Sequence, residues 1–541
     1  MRKLNWMNNI SAVMAATILL VGCANGGNGQ GADEKAAIEQ KANEVGKQSE
    51  AEQNKPSSDG DKILDEKIEI DIYMKPRPES VSSNDSVWMK PIVERTNVYF
   101  NWLKAPNDNK DYLEKFNLTL AGGDLPDVME ATPDLLNKGG ENGAFEPLNE
   151  LIDEHMPNFK KILNENPKIL KDIKSDDGNI YFFPQISAVK TIGLQIVRQD
   201  WLDNVGMKAP TTTDELYEVL KAFKEKDPNG NGQADEIPFT TRNKLNGLNA
   251  FIEPFGVSFE EDFYLENGQV KYTYTNPKLK DALAFVAKLY KEGLIDQEYI
   301  TNDQKVWESR FTNQVSGYTA DTFPRIEYLE KLIAQENPQV NMTGITPLKG
   351  PGVEAYTKSQ QTLIRNGFAI SSKSKYKVEI AKMQDWFYSE EGQLAMNFGA
   401  LGETYTITNN QLVYTDVIMK DPNKSPLIKM FEMGKREFAF QWDLRYEDAM
   451  VTPKIKEIRD SITPFIKDKY PLALSFPQAD RDVLNSKFAE ITTYKDEMVN
   501  KFVMGAEPID NFDVYVKNIE SMGLAEVLMI QQAAYDRYQK R

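Results

Sequence analysis

Side chains that carry oxygen are concentrated in the segment 227–236. They stand at alternate positions with one addition at the end, and are Asp227, Asn229, Asn231, Asp235 and Glu236. A loop that curls around a hard cation turns alternate side chains inward, and Gln233 can add its backbone carbonyl. Gly232 occupies the sixth place, where the tight turn needs a residue that tolerates unusual backbone angles. The spacing matches the first nine positions of an EF-hand loop and predicts a Ca2+ site.

The end of this segment departs from the EF-hand pattern. The twelfth position, where a Glu normally binds Ca2+ through both carboxylate oxygens, holds Pro238. Glu236, at the tenth place, would have to complete the ligand shell. A solvated turn is the alternative, because Asp-Pro and Asn-Gly pairs both favour turns. The density of oxygen ligands favours calcium, and the strand-like residues 239–241 predict a static, structural site rather than a sensor.

A helix is expected to hold the front of this loop in place. Thr212 and Glu215 have the spacing of a capping box. The residues that follow form one apolar face and are Leu216, Val219, Leu220 and Phe223. Because the loop comes directly after this helix, a cation in the loop would lie near the helix's carbonyl end, where positive charge is favoured.

Strand and helix patterns alternate through the body of the chain. Residues 67–73 alternate charged and apolar side chains, as a half-buried strand does. A helix is predicted over 85–95, a strand over 96–102 and a second helix over 111–120. This alternation indicates an α/β domain with a mainly parallel sheet. Because 541 residues are too many for one ordinary domain, two large lobes are expected.

The start of the chain predicts export and lipid attachment. Two basic residues precede a mostly apolar run over 10–21, which is too short to span a bilayer as a stable helix. Leu20-Val21-Gly22-Cys23 then resembles a bacterial lipobox, so we expect a signal peptide over 1–22 and a lipid on Cys23. An ordinary secretory signal that happens to contain a cysteine is the alternative.

Composition excludes several kinds of function. The net charge is −18, from 64 basic and 82 acidic residues, which argues against nucleic acid as a partner. With one histidine and one cysteine, the sequence lacks the residues for a His-based triad or a Cys nucleophile in its body. Glycoside hydrolysis is not excluded, because it needs only two carboxylates. Residues 23–66 hold no aromatic side chain and are predicted to be a flexible, lipid-anchored linker.

Several segments, in one order behind a lipobox, carry a family resemblance. They are GDLPDV at 123–128, DGNIYFFP at 177–184, RQDWL at 198–202, the helix 212–226 with the loop after it, and QQAAYDRY at 531–538. The chain resembles the extracellular solute-binding proteins of bacterial carbohydrate ABC importers. Within that family it is similar to the calcium-containing alginate-oligosaccharide-binding proteins and to the large lipoproteins of Gram-positive bacteria. The resemblance covers most of 67–541.

The resemblance implies a periplasmic-binding-protein-like fold, with two α/β lobes, a hinge and an interlobe ligand cleft. One lobe is expected to hold 67–190 and 318–365, and the other 191–317 and 366–541. The chain would then cross between the lobes near 187–193, 317–321 and 366. The resemblance also implies a structural Ca2+ away from the sugar, on Asp227, Asn229, Asn231, Gln233, Asp235 and Glu236.

Four residues are predicted to touch a ligand in the cleft, because sugar sites combine aromatic faces with a few polar groups. They are Trp88, Tyr318, Asp321 and Trp442. For each of them, a packed aromatic ring or a solvated charge is the alternative. Arg198 and Arg445 could meet an acidic sugar, although a salt bridge is the simpler interpretation.

We therefore expect a monomeric, lipid-anchored substrate-binding protein on the extracellular face of the bacterial membrane. It would capture an oligosaccharide, either neutral or uronic, and deliver it to ABC permease subunits without acting as an enzyme. Two alternatives remain open at this point. One is a secreted lipoprotein glycoside hydrolase, and the other is a sugar sensor or adhesion module without a transporter.

Overall fold

The computed structural model describes residues 62–77, 79–187, 193–358, 364–421, 424–442, 444–467 and 474–541. The predicted signal peptide, the lipid site Cys23 and residues 23–61 of the predicted linker lie outside these ranges. Residues 62–66, predicted as the end of the linker, belong to the body instead, since Leu64 is buried in the core of the first sheet. The strands, in chain order, are β1 Ile68–Tyr73, β2 Val98–Trp102, β3 Val128–Ala131, β4 Phe183–Ser187, β5 Leu194–Arg198, β6 Ile237–Phe239, β7 Phe263–Glu266, β8 Gln269–Tyr272, β9 Ser316–Asp321, β10 Met342–Ile345, β11 Thr357–Lys358, β12 Ile364–Ile370, β13 Tyr405–Thr408, β14 Gln411–Tyr414, β15 Gln441–Trp442 and β16 Ile466–Lys467.

The first sheet has six strands in the order β15-β4-β12-β3-β1-β2. Strands β2 and β3 pair with β1 in parallel, as the predicted strand-helix alternation requires. Strand β12 runs antiparallel between β3 and β4. The alternation predicted for β1 is confirmed, since Ile68, Ile70 and Ile72 are buried while the charged residues between them are exposed. The helices that pack on this sheet are Met89–Thr96, Asn109–Gly122, Pro133–Glu141, Asn149–His155, Pro157–Glu165, Pro167–Ile173, Lys377–Tyr388, Glu390–Phe398, Asp416–Met419, Pro426–Glu432 and Leu444–Met450.

The second sheet has four strands in the order β10-β5-β9-β6. Strand β5 runs antiparallel to both of its neighbours, and β6 runs parallel to β9. The helices that pack around this sheet and its extensions are Gln199–Val205, Thr213–Glu225, Lys244–Gly247, Asn249–Ile252, Lys278–Lys291, Gln304–Thr312, Pro324–Ile333, Pro453–Ile462, Ala489–Met504, Phe512–Ile519 and Ala525–Lys540. A short helix, Gln478–Val483, precedes the last group.

Along the described residues, the chain changes from one sheet to the other three times. Strands β1 to β4 belong to the first sheet, and β5 is the first strand along the chain that belongs to the second sheet. The chain returns between β11 and β12. It leaves again after the helix Leu444–Met450, which still packs on the first sheet, because Ile455 and Ile458 of the helix Pro453–Ile462 pack with Met342 of β10. The described elements that border these passages are β4 and β5, β11 and β12, and the helices Leu444–Met450 and Pro453–Ile462.

The strand pairing in the two sheets differs from the predicted division of the chain into two lobes. Residues 317–321, predicted at a crossing, are the body of β9 inside the second sheet. Strand β12 lies inside the first sheet, contrary to the predicted assignment of 366–541 to the other lobe. Residues 188–192, which make up most of the predicted first crossing, lie outside the described ranges. The errors have one cause, because antiparallel pairing between strands far apart in sequence leaves no local pattern.

The carboxyl-terminal helices extend the second core. Ile491, Val499 and Phe502 pack in the same apolar cluster as residues of the helix Lys278–Lys291. The last helix also contacts the helical layer of the first sheet, where the Tyr538 hydroxyl donates to Asp172 at 2.6 Å. None of the helices in the described ranges has the length and apolar character that spanning a membrane requires.

Candidate functional site

The segment 227–236 forms a tight loop between the helix Thr213–Glu225 and strand β6. Its backbone turns through the left-handed region at Asp227, Gly230 and Gly232, with φ of +46°, +70° and +75°. The predicted need for glycine at position 232 is confirmed by this angle. Strand β6 begins directly after Glu236, so no second helix follows the loop.

Oxygen atoms of the predicted ligands fold the loop on itself. Asp227 accepts the backbone N–H of Asn231 at 3.0 Å and that of Gly232 at 2.9 Å, one on each carboxylate oxygen. The side-chain oxygen of Asn229 also accepts from the Asn231 N–H, at 2.9 Å. The Asn231 side-chain oxygen accepts the N–H of Gln233 at 2.7 Å. These bonds turn the alternate side chains towards the inside of the loop.

Neighbouring elements hold the loop from two sides. The Asn204 amide, at the end of the helix Gln199–Val205, donates to the carbonyl of Pro228 at 2.8 Å. The Asn229 amide donates to the carbonyl of Gln314, just before β9, at 3.1 Å. The predicted capping box upstream is half confirmed, since Thr212 Oγ1 accepts the Glu215 N–H, whereas the Glu215 carboxylate bonds Thr211 instead.

The chemistry of this loop fits a hard cation. Glu236 Oε1 is buried without a hydrogen-bond partner among the described residues. Burial, with the negative charges of Asp235 and Asp227 nearby, raises the pKa of the Glu236 carboxyl. No Lys or Arg of the described ranges forms a salt bridge with any of the three carboxylates. In the described ranges, no group of three or more His, Cys, Asp or Glu side chains is placed to hold a metal ion, so a cation bound here would also need amide and backbone oxygens.

A cavity of about 390 Å³ lies at the carboxyl ends of β6, β9 and β10, beside the start of β5. We call it the second-sheet cavity. Its lining comes from the ends of these strands, the two short helices over 244–252 and the segment 345–358. Gly193 and Lys358, which border passages between the sheets, also line it. Ligands of α/β proteins gather at such strand ends, so this is the candidate binding site.

The ion pair between Arg242 and Asp321 forms one wall of the second-sheet cavity. Arg242 Nε and Nη2 both donate to Asp321 Oδ2, at 3.0 Å and 2.7 Å. Arg242 Nη1 donates to Gln304 at 2.6 Å, and the guanidinium lies over the Trp307 ring, 5.2 Å from its centroid. Asp321 therefore lines the cavity with its charge already compensated, and its contact with a ligand stays a prediction.

Glu253 and Lys358 form another wall. The Glu253 carboxyl is buried and accepts from the Asn249 amide at 3.0 Å and from the Lys358 backbone N–H at 3.2 Å. Burial raises the pKa of Glu253 to about 8. The Lys358 ammonium lies 3.1 Å from the Glu261 carboxylate. Tyr356 and Lys358 also border a neighbouring cavity of about 510 Å³, so the cavities are adjacent.

The first sheet presents its own polar edge where β1, β3, β4 and β15 end and β12 begins. Asn366 donates to Glu130 Oε1 at 2.9 Å, and the Lys75 N–H donates to the other carboxylate oxygen at 2.9 Å. Burial raises the pKa of Glu130. Arg77 and Glu437 form a salt bridge at the same edge.

Trp442 is the half-buried aromatic residue at this edge. It pairs with Ser187 at the end of β4, and its ring stacks beside Phe440 with a centroid distance of 5.6 Å. Tyr446 meets the ring edge-on at 5.2 Å. The exposed guanidinium of Arg365 lies 5.3 Å from the ring centroid. Trp442 thus lies at the edge of the first sheet, and its contact with a ligand stays a prediction.

Two of the predicted ligand residues belong to the core instead. Trp88 is completely buried, with the Lys435 ammonium 4.6 Å from its ring. Lys435 is itself buried and donates to the carbonyls of Met396 and Asn397, at 2.9 Å each, and burial lowers its pKa to about 7. Tyr318 is also fully buried, and its hydroxyl donates to Gln195. Tyr318 is not among the residues that line the second-sheet cavity, although its partner Gln195 is.

Arg198 is buried in an ion pair rather than placed in a cleft. Its Nε donates to Asp200 at 2.8 Å, at the end of β5 opposite the second-sheet cavity. Sequence reasoning missed the cavity residues Arg242, Glu253 and Lys358. They come from separate segments, and a turn signal around 243–247 was the only local hint of a site.

The chain matches a protein family and several known proteins in sequence and in structure. Residues 85–394 match the family model of the bacterial extracellular solute-binding protein. A crystal structure of the alginate-binding protein AlgQ2 without calcium ion has a TM-score of 0.71 and 31% identity, covering 88% of this chain and 100% of that chain. Lipoprotein LipO of Bacillus subtilis is 26% identical over 466 residues, which are 83% of this chain and 89% of LipO.

FusA of Streptococcus pneumoniae, a fructooligosaccharide ABC transporter substrate-binding protein, is 27% identical over 490 residues, 84% of this chain and 88% of FusA. A solved structure of FusA in complex with kestose has a TM-score of 0.67 at 25% identity, covering 87% of this chain and 100% of that chain. FusA has also been solved as an EF-hand mutant, with a TM-score of 0.67 at 24% identity. The match over residues 85–394 places this chain in the family of bacterial extracellular solute-binding proteins.

Proposed function

We propose that this protein is the substrate-binding protein of an ABC transporter, which captures an oligosaccharide outside the cell and delivers it to the permease. The second-sheet cavity beside the passages between the sheets is the observation that carries this proposal. FusA, which is similar over most of its length, is a fructooligosaccharide ABC transporter substrate-binding protein. The family and these relatives are binding proteins, and we infer that this chain releases its sugar unchanged.

Hinge closure is the proposed mechanism. One lobe comprises the first sheet with the described residues of 62–187 and 364–450, and the other comprises the second sheet with those of 193–358 and 453–541. The ligand enters between the second-sheet cavity and the edge of the first sheet that carries Trp442. It stabilises the closed state to the extent that it contacts both lobes at once. Micromolar affinity would correspond to about −8 kcal/mol of binding free energy.

Sugar binding without cleavage is the expected result of a direct test. Kestose, cellotriose, mannotriose and galactotriose, added in excess to the full chain, should include a ligand that raises the melting temperature. Trp442→Ala should then weaken the binding of that ligand by about fivefold, because a stacked aromatic face contributes on the order of 1 kcal/mol. Chromatography of the recovered sugar checks for cleavage.

The outcomes of this test separate the alternatives. Hydrolysis above that of a heat-inactivated control would replace binding with enzymatic function. Equal affinity of Trp442→Ala and wild type, at an unchanged melting temperature without sugar, would remove Trp442 from the site.

We propose that the loop 227–236 holds a structural Ca2+. The buried, unpartnered Glu236 Oε1 and the inward-turned oxygens of Asp227, Asn229 and Asn231 support this proposal. Asp235 and the Gln233 carbonyl complete the proposed ligand set. AlgQ2 has been crystallised without calcium ion, which agrees with a calcium-containing form of that relative. A bound Ca2+ would offset most of the charge of the three carboxylates and join the helix Thr213–Glu225 to β6.

Chelation of calcium is expected to lower the melting temperature by several degrees. A hundredfold excess of Ca2+ over its Kd stabilises the folded state by about 2.7 kcal/mol, which EDTA would remove. Differential scanning calorimetry with EDTA and with restored CaCl2 measures this. Asp227→Ala should show a low melting temperature that neither reagent changes. Equal melting of the wild-type protein in EDTA and CaCl2 would contradict the site.

We also infer a place for the protein at the extracellular face of the membrane. Cys23 follows a lipobox-like segment and would carry the lipid, with 24–61 as a tether to the body. LipO, which is similar over most of its length, is a lipoprotein. We expect the body to act as a monomer that meets the permease subunits while tethered.

A further inference from the structure

The cations that line the second-sheet cavity are already engaged by the protein. All three nitrogens of the Arg242 guanidinium donate to Asp321 or Gln304. The Lys358 ammonium is paired with Glu261 at 3.1 Å. Arg242 and Lys358 are the basic residues that line this cavity among the described residues. A ligand carboxylate would therefore find no cation whose charge is available.

Carboxyl groups outnumber the cations in the same lining. Glu253, Glu260 and Asp321 face the cavity, whereas Arg242 and Lys358 supply its positive charge. Asp321 is buried, with Arg325 a further 3.8 Å away from its second oxygen. A uronate carboxylate entering this space would lose water and meet carboxyl groups. Both effects disfavour its charged form.

Neutral polar groups in the lining suit sugar hydroxyls instead. Asn243 and Asn246 line the cavity on its exposed side, and the described residues offer no hydrogen-bond partner to either side-chain amide. An amide presents both a donor and an acceptor, as a hydroxyl does. Ala250 and Tyr356 supply apolar surface nearby. The lining thus offers hydrogen-bond donors and acceptors and apolar surface, which suit an uncharged sugar unit.

We infer that the second-sheet cavity selects an uncharged sugar unit, so that the protein binds neutral oligosaccharides in preference to oligouronates. The inference rests on the proposed function, since it specifies the class of sugar. It extends that function because the relatives include both an alginate-binding protein and a fructooligosaccharide-binding protein. The deciding feature is the internal pairing of the cavity's cations.

One exposed cation at the first sheet has a different setting. Arg365 stacks on Trp442, and no carboxylate of the described residues pairs with it. It lies outside the lining of the second-sheet cavity. A guanidinium that rests on an indole ring can cover a sugar-stacking surface, so its presence does not by itself require an anionic ligand. The Arg365→Gln variant separates these roles in the test below.

The test compares ligands that differ in charge on the same backbone. Titration calorimetry on the full chain uses trigalacturonate and its methyl ester, with kestose, cellotriose, mannotriose, galactotriose and trimannuronate as a wider panel. The inference expects the tightest ligand to be neutral, and the methyl ester to bind at least about tenfold more tightly than the free acid. Matched salt concentrations keep screening equal between the two forms.

A variant of the cavity's ion pair should reverse this preference. Asp321→Asn keeps the side-chain shape but frees the charge of Arg242, so the ratio of trigalacturonate to methyl-ester affinity should rise about tenfold or more. Asp200→Asn is the matched control. It removes the carboxylate of a similar Arg–Asp pair at the opposite end of β5, and it should leave the ratio unchanged. Melting temperatures confirm that both variants are folded.

Each outcome bears on one proposal or the other. If trigalacturonate or trimannuronate binds more tightly than every neutral sugar, the inference is overturned while the proposed function stands. Loss of that affinity in Arg365→Gln would then place the anion contact at the first sheet. The inference would also be overturned if Asp321→Asn left the ratio of trigalacturonate to methyl-ester affinity unchanged. If no member of the panel binds, the proposed function itself fails.

Discussion

Replacing Gly317 with alanine is expected to lower the free energy of unfolding by about 3 kcal/mol, because the added methyl group overpacks a full core. Gly317 lies in β9, and a Cβ there would come within 2.2 Å of the Trp201 ring and 2.9 Å of the Phe223 ring. Both rings are fully buried and meet edge-on at 5.3 Å. Neither can move without displacing its helix.

The same change should also weaken calcium binding. Trp201 belongs to the helix Gln199–Val205, whose Asn204 amide holds the carbonyl of Pro228 in the loop. Phe223 belongs to the helix that leads into the loop. A shift of either helix alters the loop that holds the ion. Urea unfolding in CaCl2 and in EDTA measures both effects, since the difference between the two midpoints reports calcium binding.

Gly122→Ala is the matched control for this substitution. Gly122 ends the helix Asn109–Gly122, and a Cβ there meets nothing within 4 Å. Alanine is the better helix former, so stability should rise or change by less than about 1 kcal/mol. Wild-type stability of Gly317→Ala would show that the contact between β9 and the two helices is loose.

Glu253→Gln is expected to remove a large part of the pH dependence of stability. Burial raises the pKa of Glu253 to about 8 in the folded protein, whereas an exposed Glu has a pKa near 4.3. The folded state therefore binds the proton more tightly than the unfolded state. The resulting stability is fully present below about pH 4.3 and is lost as the pH rises through 8, at about 1.4 kcal/mol per unit at most.

Urea unfolding between pH 5 and pH 9 measures this effect. The wild-type protein should lose several kcal/mol relative to Glu253→Gln over this window, because the amide resembles the protonated carboxyl and does not titrate. Glu354→Gln removes a carboxylate from an 86% exposed side chain of the neighbouring segment and serves as the charge control. Parallel pH profiles for Glu253→Gln and wild type would contradict a proton held on Glu253.

Protonation of the Glu253 carboxyl is also expected to affect sugar binding. Glu253 lines the second-sheet cavity, and its protonated form can donate a hydrogen bond to a sugar hydroxyl. Affinity for a neutral trisaccharide should therefore weaken above pH 8 in the wild-type protein and stay level in Glu253→Gln. This profile is separate from calcium binding, since the loop 227–236 does not line the cavity.

Local patterns predicted the elements that depend on neighbours in sequence. The alternation over 67–73 corresponds to β1, and the apolar face after Thr212 corresponds to the helix Thr213–Glu225. The turn of Gly232 through positive φ followed from its place in the loop. In each case the relevant contacts join residues a few positions apart, so the sequence spacing already contains the geometry.

Ligand residues were harder to predict than strands. Asp321 lines the cavity because it ends β9, where ligands of α/β folds gather. Tyr318, only three positions earlier, faces the core, and Trp88 lies beneath Lys435. An aromatic residue in a loop or at a helix start carries no local sign of whether it faces solvent or a core.

The sequence by itself determined the oxygen-rich loop, the lipobox-like start and the alternation of strands and helices, because each rests on contacts or chemistry within one short segment. Only the tertiary structure decided how the segments combine. Antiparallel pairing placed β9 and β10 in the second sheet and β12 in the first. The parallel pairing of β6 with β9 brought Arg242 to Asp321, and the packing of β11 beside the segment 253–261 brought Lys358 to Glu261. The charge that a ligand meets depends on these long-range partners, since paired and unpaired cations look the same in sequence.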